Sequence, residues 1–182
     1  MSFHPTTQRL ILRAPTLADM PAFVAILNDY EVAKNLRRVA HPFTEAMFRE
    51  ALVRIDQERR EGAACSFAVT RAMDGALIGM CAAERGDDGT CEFGYWYGRR
   101  YWGQGYATEA ARPVMRFAFD DMGAERLTAG WFADNPASGH VLEKLGFAVT
   151  GAAAVFCVAR NRDVTSNRVQ LTREQFARKK AA

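Results

Sequence analysis

The sequence predicts one α/β domain in which a mixed β-sheet carries helices on both faces. Three observations indicate this fold class. Strand patterns joined by hairpin signals fill residues 65–97, strands then alternate with helices up to residue 171, and no Pro-, Gly- or Ser-rich linker interrupts the chain. A length of 182 residues also fits a single domain of ordinary size.

Apolar alternation and turn residues place the elements of the first half. The expected strands lie at residues 8–14, 65–70, 76–83 and 91–97. Apolar residues at helical spacing follow the N-cap residues Thr16 and Thr44 and predict two helices, the second of which ends at Gly62. Asp74-Gly75 suits a tight hairpin between two of the strands.

The second half alternates strands with helices. The expected helices cover residues 107–122 and 136–144, and the expected strands cover residues 126–132, 147–159 (one or two strands) and 164–171. The basic segment 173–180 is expected to be a solvated helix or a frayed tail. The predicted domain thus spans residues 1–182, with a core at about 9–171 and a basic C-terminal tail at 173–182.

Composition and charge exclude several classes of protein. Hydrophobic residues make up 49% of the chain and charged residues 25%, as in an ordinary globular protein. The net charge of +3 is too small for a strongly basic nucleic-acid binder, so no nucleic-acid partner is expected. The longest uncharged stretch, residues 145–159, is shorter than the roughly 20 apolar residues of a membrane span. Because the N-terminus also lacks a signal-peptide pattern, no membrane partner is expected.

The cysteines and histidines show no metal-ligand spacing. Cys65, Cys81, Cys91 and Cys157 form no CxxC pair, and each lies among apolar or aromatic residues, as a reduced core thiol does. The three histidines are scattered singly. We therefore expect no metal site, and reduced thiols favour a cytoplasmic location.

The segment from Arg100 to Glu109, Arg-Tyr-Trp-Gly-Gln-Gly-Tyr-Ala-Thr-Glu, lies between a predicted strand and a predicted helix. Gly103 and Gly105 permit tight turns and the close approach of a ligand. The helix after them presents unpaired N–H groups and the positive end of its dipole. These features predict an anion site suited to a pyrophosphate, with Arg100 and Thr108 as side-chain contributors.

Three other interpretations apply to this region. A glycine-rich turn that serves packing alone has the same pattern. A dinucleotide-binding fingerprint would need Gly or Ala in place of Thr108 and an acidic residue about 20 residues farther on, whereas Asp134 lies farther away. The aromatic run from Phe93 to Trp102 could stack nucleic-acid bases, but it lacks the basic residue that leads RNA-binding signatures.

Several motifs in order resemble the GNAT superfamily of acyl-CoA N-acyltransferases. Arg100-x-x-Gly103-x-Gly105 is similar to its Gln/Arg-x-x-Gly-x-Gly/Ala signature, and the resemblance extends from Arg9 to about Leu171. Three further runs resemble the RimJ/RimL-like branch of ribosomal-protein N-terminal acetyltransferases: Gly94-Tyr95-Trp96 through Ala110, Asn135-Pro-Ala-Ser138 with Leu142-Glu-Lys-Leu-Gly-Phe147, and Arg9-Leu-Ile-Leu-Arg-Ala14 with Asp19.

The resemblance implies a V-shaped sheet whose strands 91–97 and 126–132 splay apart around the pantetheine arm of acetyl-CoA. Backbone groups near Tyr95, Trp96 and Tyr97 would bind the pantetheine amides and polarise the thioester carbonyl. Asn135 matches an asparagine that holds the second strand and the pantetheine. The pyrophosphate would lie on the loop and first helical turn formed by Arg100, Tyr101, Trp102, Gly103, Gln104, Gly105, Tyr106, Ala107 and Thr108.

The resemblance also implies direct attack of a neutral amine on the thioester, without a metal. Glu92, near the start of its strand, is the candidate base for the amine proton, or it is an exposed carboxylate beside a turn. Leu142 occupies the position of the tyrosine that acts as general acid in many relatives. Ser138 matches a serine proposed to take part in the RimJ/RimL-like branch, or it hydrogen-bonds within its own helical turn. A second carboxylate proposed in that branch falls near Cys157 and does not carry over.

The expected function is therefore acetyl transfer from acetyl-CoA to a primary amine, either a protein N-terminal α-amine or a small molecule. A non-catalytic acyl-CoA-binding module is the alternative that the missing tyrosine favours, and a dinucleotide-dependent enzyme is a further one. Asp29 and Glu31 alone do not form the acidic groove that a polyamine favours. Arg37-Arg38 is either a solvated face or the border of the acceptor entrance. The sequence leaves open both the acceptor and the formation of a homodimer.

Overall fold

A computed structural model describes residues 4–86 and 88–181, so residues 1–3, 87 and 182 of the predicted domain lie outside the described part. The strands are β1 Leu10–Arg13, β2 Ala64–Arg71, β3 Leu77–Arg85, β4 Thr90–Tyr97, β5 Arg126–Phe132, β6 Ala148–Cys157 and β7 Arg162–Thr172. The helices are α1 Met20–Leu27, α2 Tyr30–Ala33, α3 Glu45–Arg60, α4 Tyr106–Asp120, α5 Pro136–Leu145 and α6 Arg173–Ala181.

The seven strands form one mixed sheet in the order β1-β2-β3-β4-β5-β7-β6. All neighbouring strands pair antiparallel except β4 and β5, which are parallel and are connected through α4. A parallel pair needs such a crossover, whereas the antiparallel pairs β2–β3 and β3–β4 are joined by short turns. The predicted mixed sheet is confirmed.

The two faces of the sheet carry separate hydrophobic cores. On β4, Phe93 and Tyr97 belong to the larger core under α4 and α5, and Leu127 and Ala129 of β5 lie on the same face. Side chains alternate between faces along a strand, so Trp96 packs instead with Phe23 of α1 in the smaller core, to which α2 and α3 contribute. Helices therefore cover both faces, as predicted.

Several element boundaries differ from the expectation. β1 is shorter than residues 8–14, and of the two alternatives for residues 147–159, one strand or two, a single strand is observed, β6 Ala148–Cys157. The one-turn helix α2 was not predicted, because four residues are too few to show a helical period. Of the two alternatives for the C-terminal segment, the helix is observed, and the ring of Phe176 stacks on Phe119 at 5.0 Å.

Candidate active site

The sheet opens between its two central strands. Residues Thr90 to Glu92 of β4 pair with Arg126 to Thr128 of β5, but the remaining residues of the two strands are not paired with each other. β4 stays bonded to β3 as far as Tyr97, and β5 stays bonded to β7 as far as Phe132. Because each strand follows its other neighbour, the two diverge beyond Glu92 and form a V.

A cavity of about 910 Å³ occupies this opening. It lies within the range of pockets that bind cofactors and other small molecules. Of the fifteen residues that the sequence predicts for the site, thirteen line the cavity: Glu92, Tyr95, Trp96, Tyr97, Tyr101, Trp102, Gly103, Gly105, Tyr106, Ala107, Thr108, Asn135 and Ser138. Arg100 and Gln104 are not among the lining residues, and Gln104 Nε2 instead donates to the Arg100 carbonyl oxygen at 2.8 Å.

The loop at the end of β4 presents the start of α4 to the cavity. Gly103 has φ +72°, and Gly105, the N-cap of α4, has φ +80°. Residues with a Cβ adopt these angles only at a cost, so the glycines set the path of the loop. The first backbone N–H groups of α4 have no partner within the helix, and they lie beside the cavity at Tyr106, Ala107 and Thr108. This arrangement suits an anionic ligand.

An acidic residue in the first turn of α4 is held by the segment that precedes β1. Glu109 accepts hydrogen bonds from Thr7 Oγ1 at 2.6 Å and from the Arg9 N–H at 2.9 Å, and it forms an ion pair with the Arg9 guanidinium at 2.6 Å. Burial alone would raise the pKa of Glu109, but these bonds outweigh burial and hold the pKa below its ordinary value. Arg9 also donates to the Gln104 carbonyl oxygen at 3.0 Å, which fixes the loop.

Tyr95 of β4 reaches the first turn of α5. Its hydroxyl lies 3.0 Å from Ser138 Oγ and donates to the Ser138 carbonyl oxygen at 3.1 Å. Burial raises the pKa of Tyr95 well above its ordinary value, so the phenol remains a proton donor. Asn135 is the N-cap of α5, and its Oδ1 accepts from the Ser138 N–H at 3.4 Å. Leu142, at the position of the missing tyrosine, is buried.

Glu92 lies on the opposite face of β4 from Tyr95, towards α2. Its carboxylate is half exposed and forms one contact with the Arg37 guanidinium at 3.4 Å. Next to it, Arg38 pairs with Glu84 of β3 at 2.8 Å, and the register places Glu84 directly opposite Glu92. The cavity thus has a carboxylate on one side of the opening and a partly buried phenol–hydroxyl pair on the other.

Two arginines of this region were outside the predicted site. Arg9 belongs to the N-terminal motif, but the sequence does not predict its contact with Glu109, because the two residues are 100 positions apart. Arg168 of β7 lines the cavity, and no local pattern in a strand of mixed polarity distinguishes it. For Arg37 the sequence allowed either a solvated face or the border of the acceptor entrance. Arg37 lines the cavity and contacts Glu92 there.

The acetyltransferase (GNAT) domain family matches residues 9–148, most of the chain. The chain belongs to the GNAT acetyltransferase family. It is 28% identical over 174 residues to the uncharacterized N-acetyltransferase p20 of Bacillus licheniformis, a match that covers 94% of this chain and 97% of that protein. The predicted N-acetyltransferase assignment is confirmed at this level.

Two solved structures share the fold of this GNAT acetyltransferase. RimJ of Mycobacterium smegmatis, in complex with CoA-disulfide, superposes with a TM-score of 0.79 at 20% identity, covering 91% of this chain and 83% of that one. Spermidine N-acetyltransferase of Vibrio cholerae, in complex with CoA and spermine, gives a TM-score of 0.77 at 19% identity and covers 94% and 99%. These neighbours share the fold that the GNAT resemblance implies.

Neither a membrane-spanning helix nor a metal-ligand cluster occurs among the described residues. No helix within residues 4–86 and 88–181 combines the length and apolar character that crossing a bilayer requires. In that same part of the chain, no group of three or more His, Cys, Asp or Glu side chains is placed to hold a metal ion.

Proposed function

We propose that this N-acetyltransferase moves the acetyl group of acetyl-CoA to a primary amine by direct attack of the neutral amine on the thioester. The observation that carries the proposal is the divergence of β4 and β5 directly beneath the anion-binding loop. A thioester arm lying between the strands would meet backbone groups that no neighbouring strand uses, while its pyrophosphate rests at the start of α4.

The residues of the opening fit an acyl-CoA. Gly103 and Gly105 line the cavity with positive φ angles, and neither has a side chain that would keep a ligand from the backbone. Tyr97 places a hydroxyl in this region that is buried and has no hydrogen-bond partner among the described residues, which suits a site whose ligand or bound water completes it. Acetyl-CoA supplies the activated acetyl group and a thiolate leaving group.

Glu92 is the proposed base. An alkylammonium or α-ammonium group must lose a proton before it can attack, and a carboxylate in the cavity can accept that proton directly or through water. Glu92 is the acidic residue among those that line the cavity, and its one ion pair with Arg37, at 3.4 Å and half exposed, is weak enough to exchange.

Tyr95 and Ser138 are the proposed source of the proton for the departing thiolate. Their oxygens are 3.0 Å apart, and the elevated pKa of Tyr95 keeps the phenol protonated. Ser138 at the cavity surface would donate its hydroxyl proton to the departing thiolate and take the proton of the Tyr95 hydroxyl, which would leave its hydrogen bond to the Ser138 carbonyl oxygen. Tyr95 would then regain a proton from water that enters the open cavity. In this proposal the Tyr95–Ser138 pair takes the role of the general-acid tyrosine, whose position is occupied by Leu142 in this chain.

The first test is thermal unfolding with acetyl-CoA, CoA and NAD added separately. A ligand at 100 times its dissociation constant stabilises a protein by about 2.7 kcal/mol, which raises Tm by several degrees at this size. We expect a shift with both CoA species and none with NAD. A shift with NAD alone, or with none of the three, would contradict the proposal.

The second test follows thiol release with a panel of amines for wild type and Glu92→Gln. The variant should lower kcat at least about tenfold while the Tm shift with acetyl-CoA stays unchanged, since a base is not needed for donor binding. Glu84→Gln is the matched control, because it removes an arginine-paired carboxylate from the same face. Equal turnover by wild type and Glu92→Gln would exclude Glu92 as the base.

A further inference from the structure

We infer that the acceptor is an amine that also carries a carboxylate, and that Arg168 and Arg37 bind this second group. The inference rests on the proposed function, because it describes the acceptor side of the same cavity. The sequence leaves the acceptor open, and the charged side chains that line the cavity indicate its chemical class.

The acceptor side is the face of the sheet that carries Glu92. Thr128 pairs with Glu92 across the parallel ladder, and Gln170 pairs with Thr128 across the next. Paired residues share a face, and side chains two apart along a strand share it too, so Arg168 lies on the same face as Glu92. With strands about 4.8 Å apart and about 3.4 Å per residue, the Cα atoms of Glu92 and Arg168 are separated by roughly 12 Å.

The neighbours of Arg168 leave its side chain open to the cavity. It pairs with Gly130 on β5 and with Gly151 on β6, so no side chain flanks it across either ladder. Arg168 is exposed, and among the described residues no carboxylate forms an ion pair with it. A Cβ added at Gly130 would lie 3.0 Å from Ser166 Oγ and from a backbone oxygen, so the packing disfavours a side chain at this position beside Arg168.

The segment that carries Arg37 is fastened to the β6–β7 hairpin that carries Arg168. The Val158 N–H donates to the Arg37 carbonyl oxygen at 3.1 Å, and Arg160 Nε donates to the Lys34 carbonyl oxygen at 2.7 Å. The backbone segments that carry Arg37 and Arg168 are therefore joined in one continuous border of the cavity.

Charge balance then selects the acceptor. In the free protein Glu92 is paired with Arg37. An acceptor that brings an amine and a carboxylate can exchange partners, the amine binding Glu92 and the carboxylate binding Arg37 and Arg168, so that each charge stays paired. A polyamine brings only positive charge, and it would separate Arg37 from Glu92 while facing Arg37 and Arg168, whereas Arg38 stays paired with Glu84. Like charges at such close range disfavour that complex.

Two matched pairs of acceptors test the inference in the thiol-release assay, with spermidine as a third class. One pair is γ-aminobutyrate and its amide, and the other is the dipeptide amides Ala-Asp and Ala-Asn, so that a free amino acid and a peptide N-terminus are distinguished. We expect kcat/KM to be about tenfold or more higher for the carboxylate in at least one pair, and higher than for spermidine. The preference should shrink as salt is raised.

Arg168→Gln should lower kcat/KM for the carboxylate acceptors about tenfold more than for their neutral amides. Arg162→Gln, an exposed arginine on the same strand that does not line the cavity, is the matched control and should behave as wild type. Equal rates within both pairs, a higher rate with spermidine, or an equal loss for carboxylate and amide in Arg168→Gln would each overturn the inference.

Failure of the proposed function gives a different pattern. If no amine of the panel releases thiol, acetyl transfer to these amines is refuted, and the carboxylate site is then decided by binding. Thermal unfolding of the CoA complex with each acceptor still compares carboxylate with amide. A carboxylate-specific shift that Arg168→Gln abolishes supports the inference, and the same shift for both members of a pair overturns it.

Discussion

Gly103→Ala tests whether the geometry of the loop, rather than its mere presence, binds the donor. Gly103 has φ +72°, and a Cβ added there would meet nothing within 4 Å, so the substitution introduces backbone strain without a clash. The left-handed conformation disfavours a residue with a Cβ by about 1–2 kcal/mol. If the free loop relaxes to avoid this strain and CoA restores the original angle, the dissociation constant for CoA rises about 5- to 30-fold.

The measurement is isothermal titration with CoA, combined with urea unfolding of the free protein. Gly62→Ala is a matched control, because Gly62 has φ +68° and equally open surroundings but lies at the end of α3, outside the cavity. If the free loop of Gly103→Ala relaxes, this variant should lose less stability than Gly62→Ala and should bind CoA more weakly, whereas Gly62→Ala should lose stability and bind CoA as wild type does. A Gly103→Ala protein that loses neither stability nor CoA affinity would refute the argument that the loop cradles the pyrophosphate.

Three further predictions concern other parts of the molecule. Tyr95→Phe and Ser138→Ala should each lower kcat, and the double variant should lose little more than either, because both remove the same hydrogen bond. At Asp19, burial raises the pKa, but hydrogen bonds from Arg13 and from a backbone N–H outweigh burial and lower the pKa. The ionised carboxylate therefore stabilises the fold above about pH 4, and this stabilisation is lost as the pH falls through the pKa of the folded state. In urea unfolding, Asp19→Asn should be less stable than wild type at pH 7 and should lose less stability as the pH is lowered. Burial raises the pKa of Cys65 to about 12, and all four thiols are buried, so a thiol reagent should find none in the native protein and four after denaturation.

The features that the sequence predicts well are those set by neighbouring residues. Thr44 caps α3 by accepting from the Met47 N–H at 3.2 Å, which its spacing to the apolar residues already indicates. Gly75 has φ +69° at the predicted hairpin, and Gly103 and Gly105 have the positive φ angles that the loop was expected to need. Each of these depends on the conformations open to one residue and on a partner at most a few positions away.

The features that the sequence could not predict depend on distant partners. The Arg37–Glu92 contact joins residues 55 apart, and the Tyr95–Ser138 contact joins residues 43 apart. Both follow from strand register and helix docking, which one sequence does not specify. Strand alternation did carry part of the answer, because it places Glu92 and Tyr95 on opposite faces of any strand that contains both.

That alternation also explains why the sheet must be open for the proposed chemistry. Glu92 faces α2 and the arginines, whereas Tyr95 faces α5 and Ser138, so an intact sheet would keep a backbone layer between the proposed base and the proposed acid. Glu92 and Ser138 can reach the same thioester only where β4 and β5 separate, immediately beyond Glu92. The acceptor would then arrive from the arginine side, and the donor arm would lie in the gap with its sulfur towards Ser138. Direct attack by the amine and departure of the CoA thiolate require no covalent enzyme intermediate, and the four buried cysteines are not placed to act as nucleophiles.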